Sequence, residues 1–171
     1  MTVVYSLESR SLSTGLAQRT IKNLKFMQRA HENGEDVHIV TQVVNSLLSL
    51  LVFPQQKEKA FFGTFERIGL RSPCDLAAVH ETVSAFPDLT SLRVRQFERC
   101  ENLSDFFRRL RNAISHRRIE FSNQSHDLDD VILRLTDGPN ERDTNWDISL
   151  SAQDLLALCM YISNEIIRQI L

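Results

Sequence analysis

Leu103, Phe106, Phe107, Leu110, Ala113 and Ile114 recur at i, i+3, i+4 and i+7 intervals, which at about 100° per residue gathers them into one apolar stripe. Such a stretch must bury one side of a helix, and whatever lies between the stripe positions is turned outward. From Arg108 to Arg118 stand five arginines and a histidine without one acid, in a 171-residue chain whose formal net charge is only −2. Positive charge concentrated on an otherwise acidic protein points to a specific anionic ligand rather than to general adhesion. Asn112 and His116, four apart, are stacked neighbours on the side away from the stripe. Arg108 and Arg109 are expected to flank them one turn earlier, with Arg111 at the border of the two faces. On this phase His116 points away from its own subunit's core.

The remaining chain reads mainly as helices. Leu12, Leu16, Ile21, Leu24, Met27 and Ala30 repeat at helical spacing after an N-terminal arm at Met1–Arg10, and Asn33-Gly34 is the stop. Asp36 is the expected cap of a second helix running through Leu51 and ended by Pro54. Its apolar residues cover most sides, which places it inside a bundle or under a partner chain. Phe61, Phe62, Phe65 and Ile68 continue helically over Gln55–Leu70, and Ser72-Pro73 starts a helix that Pro87 closes. His80 has no ligand-type residue at i±4 and reads as incidental. Asp88–Arg99 reads as a connector whose Arg93, Arg95 and Arg99 extend the basic surface. Ile119-Glu120-Phe121 alternates, the polar segment after it carries His126, weighed as a second site histidine, and Val131–Leu135 and Asn145–Leu150 read as a hairpin around Asp137-Gly138-Pro139-Asn140. Ser151-Ala152-Gln153-Asp154 is a capping pattern for a final helix carrying Leu155, Leu158, Cys159, Ile162, Ile166 and Ile170.

Arg111-Asn112-Ala113-Ile114-Ser115-His116 resembles the R-x4–6-H motif of HEPN domains, the higher-eukaryote and prokaryote nucleotide-binding fold, including the polar residue after the arginine that the ribonuclease members favour. Arg109 also fits, with a six-residue gap, so either Arg109 or Arg111 answers to the motif arginine. Val43–Leu48 and Leu51–Pro54 are similar to small stand-alone HEPN proteins, so the resemblance spans nearly all of a single domain, 1–171, apart from about Lys57–Arg99. It implies a mainly α fold, a HEPN-like helical bundle with a small β-hairpin before the C-terminal helix. It further implies a metal-independent endoribonuclease of toxin or phage-defence type acting on single-stranded RNA. Arg111, Asn112 and His116 would be its catalytic residues, with Arg108, Arg109, Arg117 and Asn45 contacting substrate. Asn45 is otherwise read as a buried amide hydrogen-bonded across the bundle. In HEPN nucleases the motif helices of two subunits meet in one composite cleft, so a homodimer is expected, and an antitoxin or defence-system partner is compatible with this reading. Members partnered by nucleotidyltransferase antitoxins carry an AMP-accepting tyrosine two residues beyond the histidine. Arg118 stands there, so that route of inhibition is not open to this chain.

The chemistry suits the residues. RNA brings its own nucleophile, the 2′-hydroxyl, so cleavage needs two proton transfers and support for a phosphorane rather than a metal. Imidazole titrates near neutral pH and serves in either protonation state, while a guanidinium fork can hold two phosphate oxygens. Two histidines related by a two-fold axis can divide base and acid between them, leaving 2′,3′-cyclic phosphate and 5′-hydroxyl ends. No glycine-rich phosphate loop, H-E-x-x-H pair or nucleophile elbow occurs, and there are only five glycines. Neither a cofactor nor a metal is therefore expected. Cys74, Cys100 and Cys159 are scattered, which suits reduced thiols in the cytoplasm. No secretory signal is visible, and the apolar runs near Leu47–Phe53 are too short to span a bilayer, so no membrane association is expected. The same arginines also fit a non-catalytic HEPN module that binds RNA or nucleotide, or a helical adaptor docking an acidic partner.

Overall fold

The computed structural model describes residues 9–57, 59–125, 127–140 and 143–170; His126 and positions 1–8 of the arm expected at Met1–Arg10 lie outside them, and the last two residues of that arm, Ser9 and Arg10, already belong to the first helix. The helical periods become α1 (Ser9–Glu32), α2 (Ile39–Lys57), α3 (Lys59–Phe65), α4 (Pro73–Ala77), α5 (Val79–Thr82), α6 (Leu103–Ser115) and α7 (Ala152–Ile170). Four strands accompany them: β1 (Arg93–Phe97), β2 (Ile119–Phe121), β3 (Ile132–Asp137) and β4 (Trp146–Ser151). The chain is mainly α, as its periodicity predicts. α1 packs on α2 and α7, α2 also on α6, and α6 on β3, so the basic helix is sandwiched between the bundle and the sheet.

Packing follows the stripe. Leu103, Phe106, Phe107, Leu110 and Ala113 are sealed from solvent. Phe107 meets Phe65 edge-on at 5.1 Å, and Phe106 meets Trp146 of the sheet at 6.1 Å. Each fully buried side chain of this kind is worth roughly 1.5–3 kcal/mol, so the helix has a single stable azimuth. Its start is also fixed: the Asn102 side chain accepts from the Asp105 amide at 2.9 Å, and the Leu103 amide donates to the Ile68 carbonyl at 2.9 Å.

The expected two-stranded hairpin is the centre of a four-stranded antiparallel sheet in the order β1-β4-β3-β2. A bare hairpin would expose backbone donors and acceptors on both edges. The expected connector Asp88–Arg99 supplies β1 on one side, and the alternating Ile119–Phe121 supplies β2 on the other. β4, paired on both sides, is buried along its whole length. Several helix boundaries also move. α2 begins at Ile39 rather than beside Asp36 and passes Pro54 to end at Lys57. A proline inside a helix removes one hydrogen bond and costs roughly 3 kcal/mol, which the packing of Val43, Leu47, Leu50 and Leu51 in the core offsets. α3 stops at Phe65, and the helix expected up to Pro87 is two short turns joined at Ala78, the first opened by a Ser72–Asp75 capping box.

Candidate functional site

α6 and α1 end in the same hydrogen-bonded turn. At the end of α1 the Gly34 and Glu35 amides reach back to the His31 and Ala30 carbonyls, with Gly34 at φ 79°. At the end of α6 the Arg117 and Arg118 amides reach back to the Ile114 and Ala113 carbonyls, and the left-handed residue is Arg117 at φ 59°. This position ordinarily belongs to glycine, because a Cβ there costs roughly 1–2 kcal/mol. An arginine kept in a strained turn points to a use for its exposed side chain. Replacing Arg117 by glycine is therefore expected to leave stability unchanged or raise it by up to about 1 kcal/mol, read from urea unfolding.

His116 is the C-cap of α6 and its side chain is exposed. The turn at Arg117 folds the chain back into β2, so that His116, Arg117, Arg118 and Glu120 line one hollow of about 230 Å³ with Arg134 and Thr136 of β3. Arg134 is locked from behind. Its Nε and Nη2 donate to both carboxylate oxygens of Asp147 at 2.8–3.3 Å, and its Nη1 donates to Glu120 Oε2 at 3.1 Å. Those bonds, Asp147's first, raise an already high arginine pKa further. A fixed cation thus lines the hollow that His116 also lines. Arg134, Glu120 and Thr136 were not among the residues predicted for the site, though the apolar alternation of β3 places 134 and 136 on the face opposite its buried side.

The other motif residues point to an acid that sequence distance conceals. Asp137, last residue of β3, is buried and receives Arg109 Nη1 at 2.8 Å, Asn112 Nδ2 at 3.2 Å, and Arg118 Nη1 at 3.8 Å. Arg109 also donates to Asn145 Oδ1 and to the backbone carbonyls of Glu98 and Arg99. Arg118 donates to the Gly138 carbonyl at 3.0 Å, and a Cβ at Gly138 would collide with the backbone of Asp143. Arg109 therefore departs from its expected outward position: it is buried and ties the helix to the sheet. The helical phase explains this, since Arg109 lies between Phe106 at i−3 and Ala113 at i+4. Of the two arginines that fit the motif spacing, Arg109 is therefore buried and Arg111 only half-buried.

Arg111 is half-buried and donates from Nε and Nη2 to Asn112 Oδ1 at 3.2 and 2.7 Å. Arg108 sits exposed but paired with Asp105 at 2.6 Å, one turn nearer the helix start. Asn45 is exposed on α2 rather than buried across the bundle, and no hydrogen bond joins its side chain to the motif residues. Of the five arginines between 108 and 118, Asp105 and Asp137 answer three. Arg111 and Arg117 have no carboxylate partner among the described residues. They are the arginines of the run left open to a ligand, and the His116 side chain is exposed next to Arg117.

Other groups lend nothing to the site. Burial, with Asp105 adding to it, pushes the Cys100 thiol up to about 12, and burial alone raises Cys159 too, so neither is a nucleophile. Among the described residues no cluster of three His, Cys, Asp or Glu side chains could hold a metal, and no helix is long and apolar enough to cross a membrane. A larger hollow of about 600 Å³ opens between the start of α2 and the loop after β2, edged by the half-exposed Phe121, and shares no residue with the histidine pocket.

Residues 5–170 match the family model described as HEPN pEK499 p136. No curated protein and no solved structure matches the chain.

Proposed function

This chain belongs to the HEPN pEK499 p136 family, and from that premise we propose that it is a metal-independent endoribonuclease of toxin or phage-defence type that cuts single-stranded RNA at the end of α6. The observation that carries the reading is the exposed His116 in a hollow whose lining includes Arg117, Arg118 and Arg134. An imidazole among guanidinium groups meets a phosphodiester on its own terms. The cations hold the non-bridging oxygens and stabilise the charge that builds on them, and the ring transfers a proton at one bridging oxygen. Arg111 and Asn112 extend the phosphate contact along the helix. Two copies facing each other would join their basic edges into one groove, with Arg111, Asn112 and His116 of both lining it and the RNA strand between.

The test is incubation of the purified protein with a single-stranded oligoribonucleotide in EDTA, followed by analysis of the new ends. Expected are 2′,3′-cyclic phosphate and 5′-hydroxyl termini, lost in His116→Ala and reduced in Arg111→Ala. Cleavage surviving both substitutions, or ends of another kind, overturns the reading. The mass in solution at micromolar concentration tests the paired groove.

One observation favours a second reading. Arg111 and Asn112 are hydrogen-bonded to each other, and Asn112 to Asp137, an arrangement a non-catalytic RNA- or nucleotide-binding HEPN module would equally retain. Binding that persists in His116→Ala, with no cleavage by the unaltered protein, selects that module.

A further inference from the structure

We propose that Glu120 is the general base of this site and His116 its general acid, so that one chain holds both proton-transfer groups. The assignment rests on the ribonuclease reading above. In-line displacement at phosphorus places the attacking and leaving oxygens on opposite sides, so a single imidazole cannot serve both in one step. A second copy's histidine is one remedy, but the hollow already contains another group. Glu120 and His116 line the same 230 Å³ space because the left-handed turn at Arg117 folds β2 back beside the end of α6.

The state of the carboxylate suits the role. Glu120 stands directly across from Arg134 in the β2–β3 ladder and shares its outward face. Arg134 Nη1 holds Oε2 at 3.1 Å, and no hydrogen bond occupies Oε1. Arg134 does not depend on Glu120 for its own position, since Asp147 already grips it through two nitrogens, with the Asp147 side chain 6% exposed. Glu120, by contrast, has a side chain 72% exposed, held at one oxygen and open at the other. The charged groups facing it are Arg134 from β3 and His116, Arg117 and Arg118 from the turn after α6. It is the single acid lining a hollow that three arginines, Arg117, Arg118 and Arg134, also line.

The step balances within the chain. The Glu120 carboxylate takes the proton of the 2′-hydroxyl as that oxygen bonds to phosphorus. The bond from phosphorus to the 5′ oxygen breaks, and the His116 imidazolium delivers its proton to that oxygen. A 2′,3′-cyclic phosphate and a 5′-hydroxyl leave, and the protein holds a neutral acid and a neutral imidazole until exchange with solvent resets both. Arg117 and Arg134 balance the charge on the phosphorane.

The experiment compares kcat/KM against pH for the unaltered protein, Glu120→Gln and His116→Ala on one oligoribonucleotide, with unfolding midpoints measured alongside. Expected for Glu120→Gln is a loss of roughly 10²–10⁴-fold, disappearance of the acidic limb of the profile, and an unshifted midpoint. A loss below threefold while His116→Ala abolishes cleavage overturns the base and leaves the nuclease standing. A loss with the profile unchanged makes Glu120 a positioning residue for Arg134 and also overturns it. Absence of cleavage by the unaltered protein sinks both assignments. Mixing the Glu120→Gln and His116→Ala proteins should restore nothing, because each site is broken within its own chain; recovery would place the pair across two chains and overturn the single-chain assignment.

Discussion

Replacing Asp137 with alanine is expected to cost about 3–5 kcal/mol, the loss typical of removing one partner from a buried ion pair. The carboxylate answers Arg109 directly, Arg118 at longer range and the Asn112 amide, and its side chain and that of Arg109 are 6% and 8% exposed. Without it two guanidinium groups remain inside the interface between helix and sheet, where Arg109 Nε and Arg118 Nε are already buried without hydrogen-bond partners. In a domain of this size such a loss lowers the melting temperature by roughly 10 °C and removes much of a total stability that is ordinarily about 5–15 kcal/mol. Arg109→Met should cost less, because Asp137 keeps Arg118 and Asn112. Urea unfolding of the two variants decides this, and the reverse order would mean that Asp137 is not the anchor of α6.

His116→Ala should have the opposite profile, with a large effect on chemistry and little on folding. The ring is exposed, and the cap it forms at the end of α6 is made by its backbone amide, which donates to the Asn112 carbonyl at 2.9 Å. Alanine keeps that bond, so the unfolding midpoint should stay within a degree or two. Removing a positioned proton-transfer group costs about 10²–10⁴-fold in rate, or roughly 3–5 kcal/mol of transition-state stabilisation. Affinity for a substrate lacking the scissile 2′-hydroxyl should hold within a few-fold, since Arg111, Arg117 and Arg134 keep their charges. A rate within tenfold of the unaltered protein would remove His116 from the chemistry.

These expectations differ because the basic helix combines two populations of arginine that composition does not separate. Arg109 and Arg118 fasten the motif to the sheet, while Arg111 and Arg117 carry charge that the fold has not neutralised. A ligand therefore meets two arginines of the run that no carboxylate answers, and beside them Arg134, which Asp147 and Glu120 already pair and which adds at most one further contact. The predicted salt slope for single-stranded RNA is accordingly modest, about −1.4 to −2 for two to three phosphate contacts, rather than the steeper value that five free guanidinium groups would give.

Periodicity and local chemistry were enough to predict a mainly helical chain, the glycine that ends α1, the capping of α4 and α7, and the outward direction of His116, because each depends on residues within one or two turns of each other. The resemblance to the family was legible for the same reason: Arg111 and His116 lie five residues apart, on the last turn and the C-cap of α6. The tertiary structure alone decided the fate of the charges. Asp137 is twenty-eight residues beyond Arg109, and it reaches that arginine only because β3 ends beside α6. Glu120 and Arg134 share the histidine's hollow only because the β2–β3 register sets them opposite each other. Electrostatic pairing acts through space, so the amino-acid order could show where the cations were but not which of them the fold would leave free.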